Sequence, residues 1–116
     1  MKWASWRRSS GSEWTQAEQH YQQALQIKIE YNDRYSQAGI YHQLGTVAQE
    51  QGQWQAAYDY FLRALVIFVE FQEEYSLGIV RGSLRRLWQA HPEEAVLRQL
   101  AAMLGEEEAA VRAWLT

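Results

Sequence analysis

The strongest constraint on this chain is that it repeats itself forty positions on. The stretch from Trp14-Thr15-Gln16-Ala17 to Glu30-Tyr31 falls into register with the stretch from Trp54-Gln55-Ala56-Ala57 to Glu70-Phe71. Trp14/Trp54, Ala17/Ala57, Ala24/Ala64, Leu25/Leu65, Ile27/Ile67 and Glu30/Glu70 are identical pairs. Tyr21/Phe61, Ile29/Val69 and Tyr31/Phe71 are conservative pairs, and the register runs on through Tyr35-Ser36 against Tyr75-Ser76. A fixed period of this size is the signature of stacked supersecondary units, each burying its neighbour's apolar face.

The unit is helical. Ala17, Tyr21, Ala24, Leu25 and Ile29 recur at three- and four-residue steps, and Ala57, Phe61, Ala64, Leu65 and Phe68 do the same. Small Ala residues on such a stripe let helices approach closely, with a ring one turn away to fill the space alongside. A second pattern, Tyr41, Leu44, Gly45, Val47 and Ala48, lies between the two copies and ends near Gly52, which suits a left-handed helix terminus. With one Pro and seven Gly in 116 residues, little interrupts such helices. The pattern predicts helices at about 14–32, 35–51, 54–72, 75–90, 92–104 and 106–115. Asn32-Asp33-Arg34 and Gln72-Glu73-Glu74 read as polar links. Residues 1–13 read as a degenerate segment or partial helix, 14–91 as the repeats and 92–116 as a two-helix C-terminal cap.

Tyr41, Leu44, Gly45 and Ala48, then Gly52, then Ala57, Phe61 and Ala64 resemble the ordered slots of the tetratricopeptide repeat family. The resemblance implies an all-α, right-handed solenoid of antiparallel helix pairs with a C-terminal helical cap. Its best copy runs from Tyr41 to about Glu74; Trp14 to Tyr31 looks like a second helix and Tyr75 to Ala90 like a first helix. The usual period is about 34 residues with a Pro near the repeat end; here it is longer and that Pro is missing. In this the chain is similar to the long-period units in arrays of bacterial signalling proteins. It is therefore expected to be the closing part of an array or a short stand-alone relative.

The resemblance implies a non-catalytic protein–protein interaction module of scaffold or adaptor type. The first helix of each unit lines a concave groove, so the groove-facing candidates are His42, Thr46 and Gln49, then Arg86 and Gln89 one repeat later. Arg81, Arg85 and Arg86 form a basic cluster suited to an acidic segment. The carboxylate-clamp subtype needs Asn and Lys at set groove positions; Thr46 stands where a clamp Asn is expected, so that subtype is not expected.

Other classes find little support. With no Cys, thiol chemistry and Cys-ligated metals are excluded. His20, His42 and His91 have no partner at ligand spacing, so neither a metal nor a cofactor is expected. Glu73-Glu74, Glu93-Glu94 and Glu106-Glu107-Glu108 sit at links and helix starts, where they favour the positive dipole end rather than acid–base work. No nucleophile-elbow pattern occurs, and the chain is not expected to be an enzyme. The run Leu97 to Leu115 is superficially similar to a helix-turn-helix, which makes a nucleic-acid-binding regulator the rival reading. Its second helix opens on three Glu that phosphates repel, and the net charge is −3. No apolar run approaches the roughly 18–20 residues of a membrane span, and Lys2, Arg7 and Arg8 precede no apolar signal core. The expected compartment is the cytoplasm, with no membrane partner.

Tyr21, Tyr31, Phe61, Phe71, Trp14 and Trp54 read as packing between helices. Trp3, Trp6 and Tyr58 carry no such role and, if exposed, make a patch suited to association. About three repeats are normally needed for independent stability, and this chain has fewer. A homodimer through the N-terminal helix, with Trp3 and Trp6 in its interface, is expected.

Overall fold

The computed structural model describes residues 2–116, with side chains described from Glu13 onward. It contains α1 (Lys2–Glu30), α2 (Arg34–Glu50), α3 (Trp54–Glu70), α4 (Glu74–Ala90), α5 (Glu94–Leu104) and α6 (Glu108–Leu115), and no strand among the described residues. The first helix begins well before the predicted residue 14 and runs for 29 residues, where the three that follow have 17 each. The described side chains start beyond Trp3 and Trp6, so the association surface assigned to them lies outside the described residues.

The forty-residue rhythm is visible in the turns themselves. Asn32 and Gln72 both adopt φ of 53°, the left-handed region. Around them the same hydrogen bonds recur: Asp33 N–H donates to Lys28 C=O at 2.8 Å, and Glu73 N–H to Phe68 C=O at 3.0 Å. Gly52 and Gly105 take the same left-handed place after α2 and α5, with Gln53 N–H and Glu106 N–H reaching back five residues. Each of these helices thus ends in a six-to-one closure that satisfies a terminal carbonyl. Asp33 also caps α2, accepting from Ser36 N–H at 3.1 Å and from the Ser36 hydroxyl at 2.7 Å.

The third helix is the centre of the molecule. Tyr58, Phe61, Leu62, Ala64, Leu65, Ile67 and Phe68 are all buried on it. It packs between α2 and α4 and touches α5. Gly45 on α2 permits the closest approach: a Cβ built there would stand 2.5 Å from Phe61 Cε1. Val80, Leu84, Leu87 and Trp88 carry the core into α4. Val96, Leu97 and Leu100 of α5, with Val111 and Leu115 of α6, close it beyond α4. Tyr58, read from sequence as lacking a packing role, is 2% exposed and donates its hydroxyl to His91 C=O at 2.7 Å. Burial raises its pKa to about 12, helped by the nearby Glu93 charge. Trp54 stacks on His91 at 3.7 Å between ring centroids, joining the start of α3 to the α4–α5 link.

The paired rings do not share one fate. Trp14 and Trp54 are equally exposed at 37%, on the rim rather than between helices. Phe71 lies edge-on to Tyr35 at 5.3 Å and is 50% exposed, whereas its counterpart Tyr31 is 79% exposed. The difference follows from what surrounds each helix: α3 has a preceding helix folded against it, and α1 has none among the described residues.

Candidate functional site

Two first helices, α2 and α4, lie one repeat apart, each packed against α3. Between them is a hollow of about 160 Å³ lined by Gly39, His42 and Gln43 of α2, Phe68 of α3, and Ser76, Ile79 and Val80 of α4. Phe68 is buried, while Ile79 is 44% exposed. The opening comes from the sequence: no atom lies within 4 Å of where a Gly39 Cβ would stand, so the α2 wall is low there. The cavity is mostly apolar in character, with His42 and Gln43 on the α2 wall and Ser76 on the α4 wall as its polar groups.

A polar line continues from the hollow. His42 Nε2 and Ser83 Oγ are hydrogen bonded at 2.8 Å across the α2–α4 seam, and Arg86 Nη2 donates to the same Ser83 oxygen at 3.4 Å. The His42 ring lies 5.4 Å from that of Phe61. Burial pushes the imidazole pKa below its ordinary 6.5, and the neighbouring Arg86 charge pushes it further down. His42 is therefore neutral at pH 7, a hydrogen-bonding group and not a charge. Arg86 is exposed and has no carboxylate within ion-pair distance among the described residues. It supplies the positive end of the line.

The other sequence-predicted residues are placed differently. Thr46 turns its hydroxyl back to His42 C=O at 3.1 Å, within its own helix. Gln49 is half-buried near the end of α2. Arg81 is engaged by the C-terminal helices: Nη2 is 3.9 Å from Glu106 and the guanidinium lies over the Trp114 ring at 5.4 Å. Gln89 also faces that end, donating to Thr116 C=O at 3.4 Å. Arg85 is exposed, one turn from Arg81. The basic cluster is thus divided, and of its members Arg86 joins His42 in the seam between the first helices.

Sequence reasoning missed Ser83, Gly39, Phe68 and Ile79. Ser83 is a polar residue buried on α4, 4% exposed. The repeat sets Gln43 at its counterpart position, so the register gave no hint that it meets His42. Gly39 and Ile79 are counterparts of each other, one small and one large, and that asymmetry is a readable signal for a recess with a raised rim.

Elsewhere the chemistry is sparse. Among the described residues no group of three or more His, Asp or Glu side chains is placed to hold a metal ion. No helix there is long and apolar enough to cross a membrane. In the α5–α6 pair, Val111 and Leu115 face the core and Glu106, Glu107 and Glu108 stand at the start of α6.

Among protein families, a model described as tetratricopeptide repeat matches residues 2–68, more than half of the chain. No curated protein and no solved structure matches it.

Proposed function

Because the chain belongs to the tetratricopeptide repeat family, whose repeats generally mediate protein–protein interaction and are typically non-catalytic, we propose that it binds a partner peptide through the concave face formed by α2 and α4. The observation that carries this reading is the 160 Å³ hollow floored by Phe68 and continued by His42, Ser83 and Arg86. An aliphatic side chain of the partner enters the hollow beside Ile79. An acidic group one to two residues away meets Arg86, whose guanidinium suits a carboxylate in bidentate geometry. Gln49, Thr46, Arg85 and Gln89 border the same helices and fall at the margin of the contact, while Arg81 serves the cap.

The same reading holds the protein to be a self-associating adaptor in the cytoplasm. In support, Ile27 of α1 is 51% exposed where its repeat counterpart Ile67 is 1% exposed.

A random peptide display on the immobilised full chain tests the binding site. Selected peptides should pair an aliphatic residue with Asp or Glu, and Ile79→Asp and Arg86→Glu should each weaken their binding at least tenfold. Failure to enrich any such family, or binding indifferent to both substitutions, refutes the site. Light scattering across a concentration series tests self-association, and a mass of 13.6 kDa throughout refutes that part.

A further inference from the structure

The internal repeat allows α1 and α3 to be compared as two copies of one element, of which only α3 has the helix that precedes it folded back alongside. That helix, α2, meets α3 at four defined places. Gly45 lies under the Phe61 ring, Tyr41 stacks on Tyr60 at 6.4 Å, and Tyr35 sets its edge against Phe71. Arg34 clasps Glu70 with two hydrogen bonds of 2.7 Å. Forty positions earlier, α1 presents the receiving residues Tyr21, His20, Tyr31 and Glu30. No helix among the described residues covers them. The cost is plain at one identical pair: Ile67 is 1% exposed and Ile27 is 51% exposed.

The forty-residue register also says where the missing cover is encoded. Residues 2–10 are counterparts of the second half of α2, Ser5 stands for Gly45, and Gly11-Ser12-Glu13 stands for the Gln51-Gly52-Gln53 turn. Yet the backbone does not turn there. It runs as one helix from Lys2 to Glu30, which at about 1.5 Å per residue is about 43 Å long. A segment written to fold back, but carried straight on, cannot reach its own α1 face. It can reach the same face of a second copy.

We propose that two copies exchange these segments: residues 2–12 of each lie antiparallel on the Ala17–Tyr21–Ala24 face of the other's α1, with Gly11-Ser12-Glu13 at the two-fold axis. The contact is the α2–α3 packing made between chains instead of within one, an exchange of like elements of the kind that converts a hairpin into a dimer at small energetic cost. Charge agrees. The exchanged segment carries +3 from Lys2, Arg7 and Arg8, and its register sets Arg8 beside Glu18, which has no ion-pair partner among the described residues. This proposal rests on the self-association reading above and supplies its geometry.

The absence of native Cys makes a clean test available. Ser5→Cys combined with Tyr21→Cys copies the Gly45–Phe61 contact. On one straight helix these positions are about 24 Å apart, far beyond the roughly 4.4–6.8 Å between Cα atoms that a disulfide spans. Oxidation should therefore give a covalent dimer at twice the chain mass on a non-reducing gel. In parallel, two extra glycines inserted after Gly11 should let the segment fold back on its own chain and convert the dimer to a monomer. A wild-type chain that is monomeric at all concentrations overturns self-association and this geometry together. A wild-type dimer that forms no interchain disulfide, closes it within one chain, or ignores the inserted glycines overturns the exchange alone.

Discussion

Replacing Gly45 by Ala isolates the closest contact in the structure. In an exposed helix interior the change stabilises by about 1 kcal/mol, because Gly loses more backbone freedom on folding than Ala. At Gly45 the new methyl would stand 2.5 Å from Phe61 Cε1 and 2.6 Å from Cδ1, against ordinary contacts of 3.4–4 Å. Phe61 is 1% exposed and lies in the central core cluster, so its ring has little room to retreat. Overpacking of this kind costs about 1–3 kcal/mol, and a displacement near 1 Å puts it toward the upper end. The net expectation is a loss of about 1–2 kcal/mol, or a fall in Tm of about 4–8 °C for a domain of this size. Gly78→Ala is the matched control: no atom lies within 4 Å of its Cβ position, and it should raise stability by about 0.5–1 kcal/mol. Thermal and urea melts of both variants give the comparison. Phe61→Leu completes a double-mutant cycle, since Gly45→Ala should cost less once the ring is gone. A Gly45→Ala protein as stable as Gly78→Ala, or a cycle with no coupling, refutes the argument that this glycine exists to admit the ring.

Other consequences are as direct. The depressed pKa of His42 means that the unfolded chain binds a proton the folded chain refuses, so stability falls as pH drops below about 6.5 toward the folded value; His42→Gln should flatten that part of a stability–pH profile measured by melts between pH 5 and 8. The Asp33 pKa is lowered, chiefly by the Ser36 hydroxyl and then by its backbone N–H, so its contribution is complete above the ordinary 3.8 and fades as pH falls through the lower folded value; Ser36→Ala should raise the Asp33 titration midpoint seen by NMR. Gln72 holds φ of 53° without the freedom of glycine, and Gln72→Gly should stabilise by up to about 1 kcal/mol in a urea titration. Tyr58→Phe leaves the His91 carbonyl without its donor and should cost about 1–3 kcal/mol in the same assay, while a neutral result refutes the role given to that hydroxyl.

The period of forty carried most of the fold because it is enforced at every turn of the ladder. Ala57, Phe61, Ala64 and Leu65 recur at helical steps and are all buried. Gly52 ends α2 in the left-handed conformation its residue type favours. What the repeat could not convey is where the copies stop being equivalent. Tyr31 matches Phe71 in sequence, but exposure depends on a neighbouring helix and not on the residue itself. The start of the first helix was legible only in part: Ser9-Ser10-Gly11-Ser12 dilutes the apolar pattern so that residues 1–13 read as a degenerate segment or partial helix, whereas α1 is helical through it. At the site, His42 and Arg86 were legible as exposed-face positions on first helices. Their meeting through Ser83 was not, since a hydroxyl at an apolar-looking position carries no periodic signal. Arg81 went to Glu106 and Trp114 because the last helix folds back over α4, a long-range event that local spacing does not encode.

The two sides of the described structure are covered to different degrees, and this bears on the geometry of the proposed exchange. The short helices α5 and α6 pack against α3 and α4 and bury Leu97, Leu100, Val111 and Leu115 completely. On the flank of α1, by contrast, Ile27 stays 51% exposed and Tyr31 79% exposed. A filament needs two unlike, mutually complementary ends to add subunits without limit. The exchange proposed above joins like with like about a two-fold axis, a closed contact that adds no further subunit, so it calls for pairs and not fibres.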